Sequence, residues 1–155
     1  MCDYSLHGIN NRLAVDGEQL VVHRFRTGSI GMAAEADIRP EKNAPKRPWH
    51  WIFGPPQRIA DCAVCIPPGA RLMLRDIPMR IQRELGVRAA EDVVFTQLTA
   101  ETNTYRDAVR FSNGSELLLQ RLDPGQRVDV VSVSPAETIE QPVIPSSEEA
   151  SQSPY

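Results

Sequence analysis

The sequence predicts a mainly β domain: a small barrel or sandwich with one short helix, a C-terminal β-meander and a disordered C-terminal tail. The prediction rests on short runs rich in β-branched and aromatic residues, on Gly, Pro and Asn turn signals between them, and on a helical apolar period at one place alone. Many short strands at regular spacing are the mark of all-β architecture.

Residues 19–26 (Gln-Leu-Val-Val-His-Arg-Phe-Arg) follow the turn pair Asp16-Gly17 and read as the first strand. Thr27-Gly28-Ser29 turns the chain into a short strand at 30–33. Residues 35–48 form a long proline-rich basic loop, because Pro40, Pro45 and Pro48 interrupt ladder and helix bonding alike. Loops of that length inside a compact domain are uncommon and are often functional or disordered. Apolar stretches at 49–53 and 59–66 follow, separated by Gly54-Pro55-Pro56. Pro67-Pro68-Gly69 then turns into an alternating strand at 70–74.

The helix falls at residues 78–85. Asp76 is the candidate cap, Pro78 suits the first turn, and Gly86 suits the left-handed position that ends a helix. Ile77, Ile81 and Leu85 recur every four residues and form one buried stripe. Arg80 and Glu84 share that spacing as an exposed pair worth a few tenths of a kcal/mol. Beyond the helix, a strand at 93–98 precedes a hairpin of 105–111 and 116–122 around Asn113-Gly114, the strongest short-range hairpin signal. A turn at 123–126 leads to residues 127–133, the expected third strand of the meander. From Ser134 onward Pro, Ser, Glu and Gln dominate, a composition that buries too little apolar surface to offset ordering entropy. One β-rich domain over 1–133 and an acidic disordered tail over 134–155 are therefore expected.

Net charge is −3, yet residues 1–90 carry 13 Lys/Arg against 9 Asp/Glu, whereas 91–155 carry 4 against 11. Part of that acidity lies in the tail, so the folded portion is close to neutral and no polyanionic partner is demanded. No apolar run approaches the ~20 residues of a membrane span, and the first residues lack the basic start and apolar stretch of a signal peptide. A cytoplasmic location is the resulting expectation. Three cysteines are too few, and odd in number, for a disulfide framework.

Chemistry has three candidate seats. Cys62 and Cys65 have the spacing of half a zinc site, and Cys2 with His7 or His23 would complete a set for zinc or iron, since thiolate and imidazole suit such metals. Against this stands the extended backbone favoured by Ala63-Val64, in which residues three apart face opposite ways; buried apolar thiols are the plainer account. His23 shares a strand face with Val21 and Phe25, which makes it a buried imidazole if that face is inward. Cys2, with a free α-amine after loss of Met1, is a nucleophile in principle, but its neighbours Asp3, Tyr4, Ser5 and His7 equally describe an ordinary polar terminus.

The second seat is the basic-aromatic segment 39–53, where Arg39, Lys42, Lys46 and Arg47 precede Trp49, His50, Trp51 and Phe53. Positive charge followed by stacking rings suits single-stranded nucleic acid, but four charges diluted by Glu41 are few, and a solvated loop entering an aromatic core strand is the plainer account. The third is Tyr105-Arg106-Asp107, either a polar barrel mouth or, more simply, an exposed strand end. No phosphate loop, nucleophile elbow or metalloprotease motif occurs. The expected function is a non-enzymatic binding or regulatory domain for a protein or small-molecule partner, with metal binding and weak nucleic-acid binding as alternatives.

Overall fold

A computed structural model describes residues 6–40, 58–101 and 104–135. The expected tail falls almost entirely at 136–155, outside the described residues. The strands are β1 (Asn10–Leu13), β2 (Gln19–Arg24), β3 (Ile30–Ala34), β4 (Arg39–Pro40), β5 (Arg58–Ile59), β6 (Cys62–Cys65), β7 (Arg71–Leu74), β8 (Glu91–Gln97), β9 (Asp107–Phe111), β10 (Glu116–Leu118) and β11 (Arg127–Ser132). Among the described residues there is one α-helix, α1, which spans Met79–Leu85.

Seven strands form one antiparallel sheet in the order β10-β9-β8-β7-β11-β2-β3. Alternation along each strand decides which residues face inward. Leu20 and Val22 of β2, Leu72 and Leu74 of β7 and Val128 and Val130 of β11 enter one core that all seven strands share. A single sheet brings every inner face to one core by curling over, which gives a sandwich-like form. The curl stops short of a closed barrel, because no ladder joins β10 to β3. The Gln120 side chain makes that junction instead. It accepts from Ile30 N–H at 3.1 Å and donates to Ile30 C=O at 2.8 Å, in the manner of a neighbouring strand.

The β-meander runs through β7, β8, β9 and β10, each paired with its successor. Residues 127–133 do form a strand, but it is not the third member after the 105–122 hairpin: β11 lies between β7 and β2. The reason is local. After β10 the chain enters a 3-10 turn at Leu119–Arg121, and Leu119 and Leu122 are buried in the core. That anchoring carries the chain away from β10, and the turn at 123–126 is then tied to β2 by Gly125 N–H donating to Val22 C=O at 2.7 Å.

Helix α1 covers the core with Ile81, while Ile77 is buried just before it and Leu85 packs at its end. Gly86 closes it at φ 67°, a left-handed conformation that costs a residue with a Cβ about 1 kcal/mol or more. The expected Asp76 cap is not made; Asp76 binds Arg127 at 2.7 Å, and Pro78 occupies the cap position. The expected Arg80–Glu84 pair is also re-partnered, Arg80 to Asp123 and Glu84 to Arg121. Turns and strand ends lie close to this short helix, so cross-element arginine contacts win over the helical spacing.

A smaller layer flanks β3. Strand β1 pairs with β6 in parallel, Asn10 opposite Cys62 through Leu13 opposite Cys65, and β4 pairs with β5 as a two-residue antiparallel ribbon. Because both faces of β3 are buried, Ala33 turns away from the main core into a second cluster with Leu6, Phe25, Ala60 and Ala63. Gly31 matters here. A Cβ at that position would sit 2.9 Å from Leu6 Cδ1 and 3.0 Å from Phe25 Cε2, so a larger residue would require the Leu6 and Phe25 side chains to shift.

Candidate functional site

The ribbon of β4 and β5 sets Arg39 opposite Ile59 and Pro40 opposite Arg58. It brackets residues 41–57, which include the expected binding residues Arg47, Trp49, His50 and Trp51 and lie outside the described residues. From β5 the chain bends at Ala60 and Asp61 into β6. Asp61 forms an ion pair with Arg39 and a longer one with Arg26 at 4.0 Å. All three side chains are more than half exposed, so the pairs contribute at most about 1 kcal/mol each. Their consequence is positional: Arg39 of β4 and Arg26 from the turn after β2 converge on one carboxylate.

Two open clefts meet at that carboxylate. One, of about 390 Å³, is walled by residues 8–10, Phe25, Arg26, Ala60 and Asp61. The other, of about 330 Å³, is walled by Ala36, Asp37, Arg39, Asp61 and Cys62. Phe25 and Ala60 give the first an apolar floor, while Arg26 and Asp61 offer both signs of charge at its rim. That combination suits a ligand with an apolar body and polar edges. Sequence reasoning missed Asp61 as the centre. Its signal was present: it is the single charge interrupting the apolar run 59–66, at the point where the run divides into two strands.

The expected metal residues are distributed as follows. Cys62 is half-buried with a free thiol, and its Sγ donates to Ala63 C=O at 3.5 Å. Cys65 is buried and disulfide-bonded, a state in which its sulfur is no thiolate ligand. His7 is exposed. His23 is buried on the face of β2 away from the main core, edge-on to Phe25 with ring centroids 4.9 Å apart and planes at 87°. Cys2 lies outside the described residues. Among the described residues no three His, Cys, Asp or Glu side chains converge on a point where an ion would sit.

The electrostatics are dominated by arginine–carboxylate pairs. Arg12 holds Glu18 below the usual carboxylate range through hydrogen bonding, against the opposing effect of burial. Hydrogen bonds from Arg127, Arg121 and Arg88 do the same for Asp76, Glu84 and Glu91. Burial pushes the His23 imidazole below its ordinary value. At the third candidate seat, Tyr105 is half-exposed, but Asp107 is buried and accepts from Gln97 Nε2 at 3.0 Å. The exposed-strand-end expectation therefore fails for Asp107, because β9 continues its inward face from Phe111 and Val109 back to residue 107.

Fold and clefts together define a mainly β, sandwich-like domain with an open two-lobed surface at the base of a ribbon. No protein-family model, no curated protein and no solved structure matches the chain. Among the described residues no helix is long and apolar enough to cross a membrane.

Proposed function

We propose that this chain is a small, non-enzymatic binding domain whose contact surface surrounds Asp61 at the base of the β4–β5 ribbon. The observation that carries the reading is the shared position of Asp61 between two open clefts, where Arg26 and Arg39 converge. A rigid scaffold presenting a long connection from a paired stem is the usual way a β domain builds a recognition surface. Glu18, Asp76, Glu84 and Glu91 are each paired with an arginine that holds the carboxyl below its usual range, so none of these four is a general acid near neutral pH. The partner is a small molecule or a protein segment with an apolar body and polar edges.

The chain offers its own reporter. Its two tryptophans, Trp49 and Trp51, both belong to the segment that the ribbon brackets, so intrinsic tryptophan emission reports on that segment alone. A thermal-shift panel of nucleotides, sugar phosphates, amino acids and short apolar peptides is expected to yield at least one compound that raises Tm and changes tryptophan emission. Arg26→Ala and Asp61→Ala should each weaken that response. A compound that raises Tm with unchanged emission and undiminished response in both variants would place binding elsewhere. A single-stranded oligonucleotide whose binding falls steeply with salt would instead favour nucleic acid.

A further inference from the structure

We propose that the larger cleft takes a monocarboxylate with a small apolar body, and that Arg26 is the group that receives the carboxylate, a reading that rests on the binding function given above. Among the described residues that wall this cleft, Arg26 and Asp61 carry charge, and the two charges are not equally spent. Arg39 of β4 is in direct contact with Asp61, so that carboxylate is already neutralised from the side of the smaller cleft. Arg26 stands off from it at 4.0 Å, beyond the roughly 2.7–3.2 Å of a direct N–H···O hydrogen bond. Among the described residues Arg26 meets no closer carboxylate. Two guanidinium groups thus face one carboxylate, and the surplus positive charge lies at the rim of the larger cleft.

A guanidinium presents a planar fork of N–H donors that matches the two oxygens of a carboxylate. The Arg26 side chain is 79% exposed, so it meets a ligand by rotating about its own bonds, with no change of backbone. Little is lost when it does, because an exposed ion pair at the outer limit of contact contributes close to nothing. One surplus cation matches one negative charge. A phosphomonoester brings nearly two, and the second meets Asp61 with no further cation in the cleft wall to offset it. An ammonium group would have to displace Arg39 from Asp61 and approach Arg26, and both steps are unfavourable. Asp37 belongs to the smaller cleft and lies within electrostatic range of Arg12.

The walls set the rest of the ligand. Phe25 and Ala60 form the floor, and Ile9, partly buried, packs on the same flank cluster. At about 390 Å³ the cleft is near the lower end of small-molecule sites, which span about 300–1,000 Å³, so the body is on the scale of a single ring or a short alkyl chain. Its apolar end lies on Phe25 and Ala60 while the carboxylate stays at the wet rim beside Arg26. No charge has to be buried in that pose, so the desolvation cost is small.

The test titrates the full chain at pH 7 with 3-phenylpropionate, its neutral amide, 2-phenylethylammonium, phenyl phosphate and inorganic phosphate, read from the backbone amide shifts of Ile9, Asn10, Ala60 and Asp61. The carboxylate should move these amides, and the amide and the ammonium should bind about tenfold more weakly or not at all. Added salt should weaken the carboxylate and leave the neutral amide unchanged. Arg26→Gln should cost the carboxylate about tenfold and the neutral amide nothing, and Arg26→Glu should reverse the preference in favour of the ammonium. Both substitutions fall on an exposed side chain, so an unchanged Tm without ligand confirms that the fold is kept. Equal binding of carboxylate, amide and ammonium at these four amides would overturn the choice of charge and leave the binding surface standing. Phenyl phosphate bound more tightly than the carboxylate, or inorganic phosphate bound as tightly, would overturn the single charge or the apolar body respectively. Carboxylate shifts confined to other amides, unaltered in Arg26→Gln, would remove this site and the binding reading together.

Discussion

In the seven-stranded sheet, large branched side chains from every strand meet in one core, and the meander strands pair with their chain neighbours. The flank is built otherwise. There a four-residue parallel ladder and a two-residue ribbon lie over β3 on a second cluster of three alanines, one leucine and one phenylalanine, and Val64 of β6 with the following Ile66 reaches the main core. Alanine buries little area, so each contact on the flank contributes a fraction of what a leucine contributes in the sheet. The difference shows where stability and recognition are placed: the sheet is overdetermined, and the clefts open on the side that is not.

The largest expected effect tests that contrast directly. Leu74 on β7 is fully buried at the middle of the sheet, and Leu74→Ala should lose about 2–5 kcal/mol in urea unfolding. Leu6→Ala removes the flank's leucine and is expected to accelerate exchange in β1 well before it lowers global stability to that extent. Equal global losses for the two variants would break the comparison, since sheet and flank would then unfold as one unit.

Next in size is the junction at the sheet's two ends. Gln120→Ala removes both hydrogen bonds to Ile30 and exposes its N–H and C=O. A loss of about 1–3 kcal/mol is expected, with faster exchange at the Ile30 amide. Gln120→Glu keeps the acceptor for Ile30 N–H but sets a carboxylate against the carbonyl, so it should not rescue the loss. An Ile30 amide indifferent to both changes would mean that the curl is held by the core alone.

A gain is expected at Gln126. Its side chain is buried at the start of β11, and neither amide atom has a hydrogen-bond partner. A buried unpaired amide costs about 1–3 kcal/mol, so Gln126→Leu, similar in volume, should raise stability by roughly 1 kcal/mol. A destabilised variant would show that the amide is satisfied in solution and that polar contact extends into the sheet's core.

Much of the sheet was legible because its determinants are local. Asn113-Gly114 specifies the β9–β10 hairpin, and Ile77, Ile81 and Leu85 specify the buried stripe of α1. The placement of β11 was not legible, because alternation at Val128 and Val130 says which face is buried but not which strands lie on either side. The flank was read least well. Parallel pairing of β1 with β6 leaves no turn signature, and Asp61 becomes a centre only when Arg26 and Arg39 arrive from distant positions. The cysteine spacing was legible, but its chemistry depended on β6 being extended.

The smallest expected effect is a dependence on pH, and it sharpens the comparison because the responsible group lies on the flank side of β2. His23 packs edge-on against Phe25, which belongs to the flank cluster and lines the larger cleft. Burial lowers the imidazole pKa from its ordinary 6.5, so the folded protein binds this proton less readily than the unfolded chain does. The native state therefore keeps its full stability above about pH 6.5 and loses it as pH falls from there through the lowered folded value. A second loss should follow below about pH 4.5, as carboxylates such as Glu84 and Glu91, held low by arginines in the folded state, are protonated. His23→Phe should flatten the first phase and leave the second. In the wild type the first phase should appear earlier in β2 and β3 amide exchange than in β8 and β9. If instead the slope near pH 6 survives in His23→Phe, the acid-sensitive group lies elsewhere and the flank is no softer to protons than the sheet.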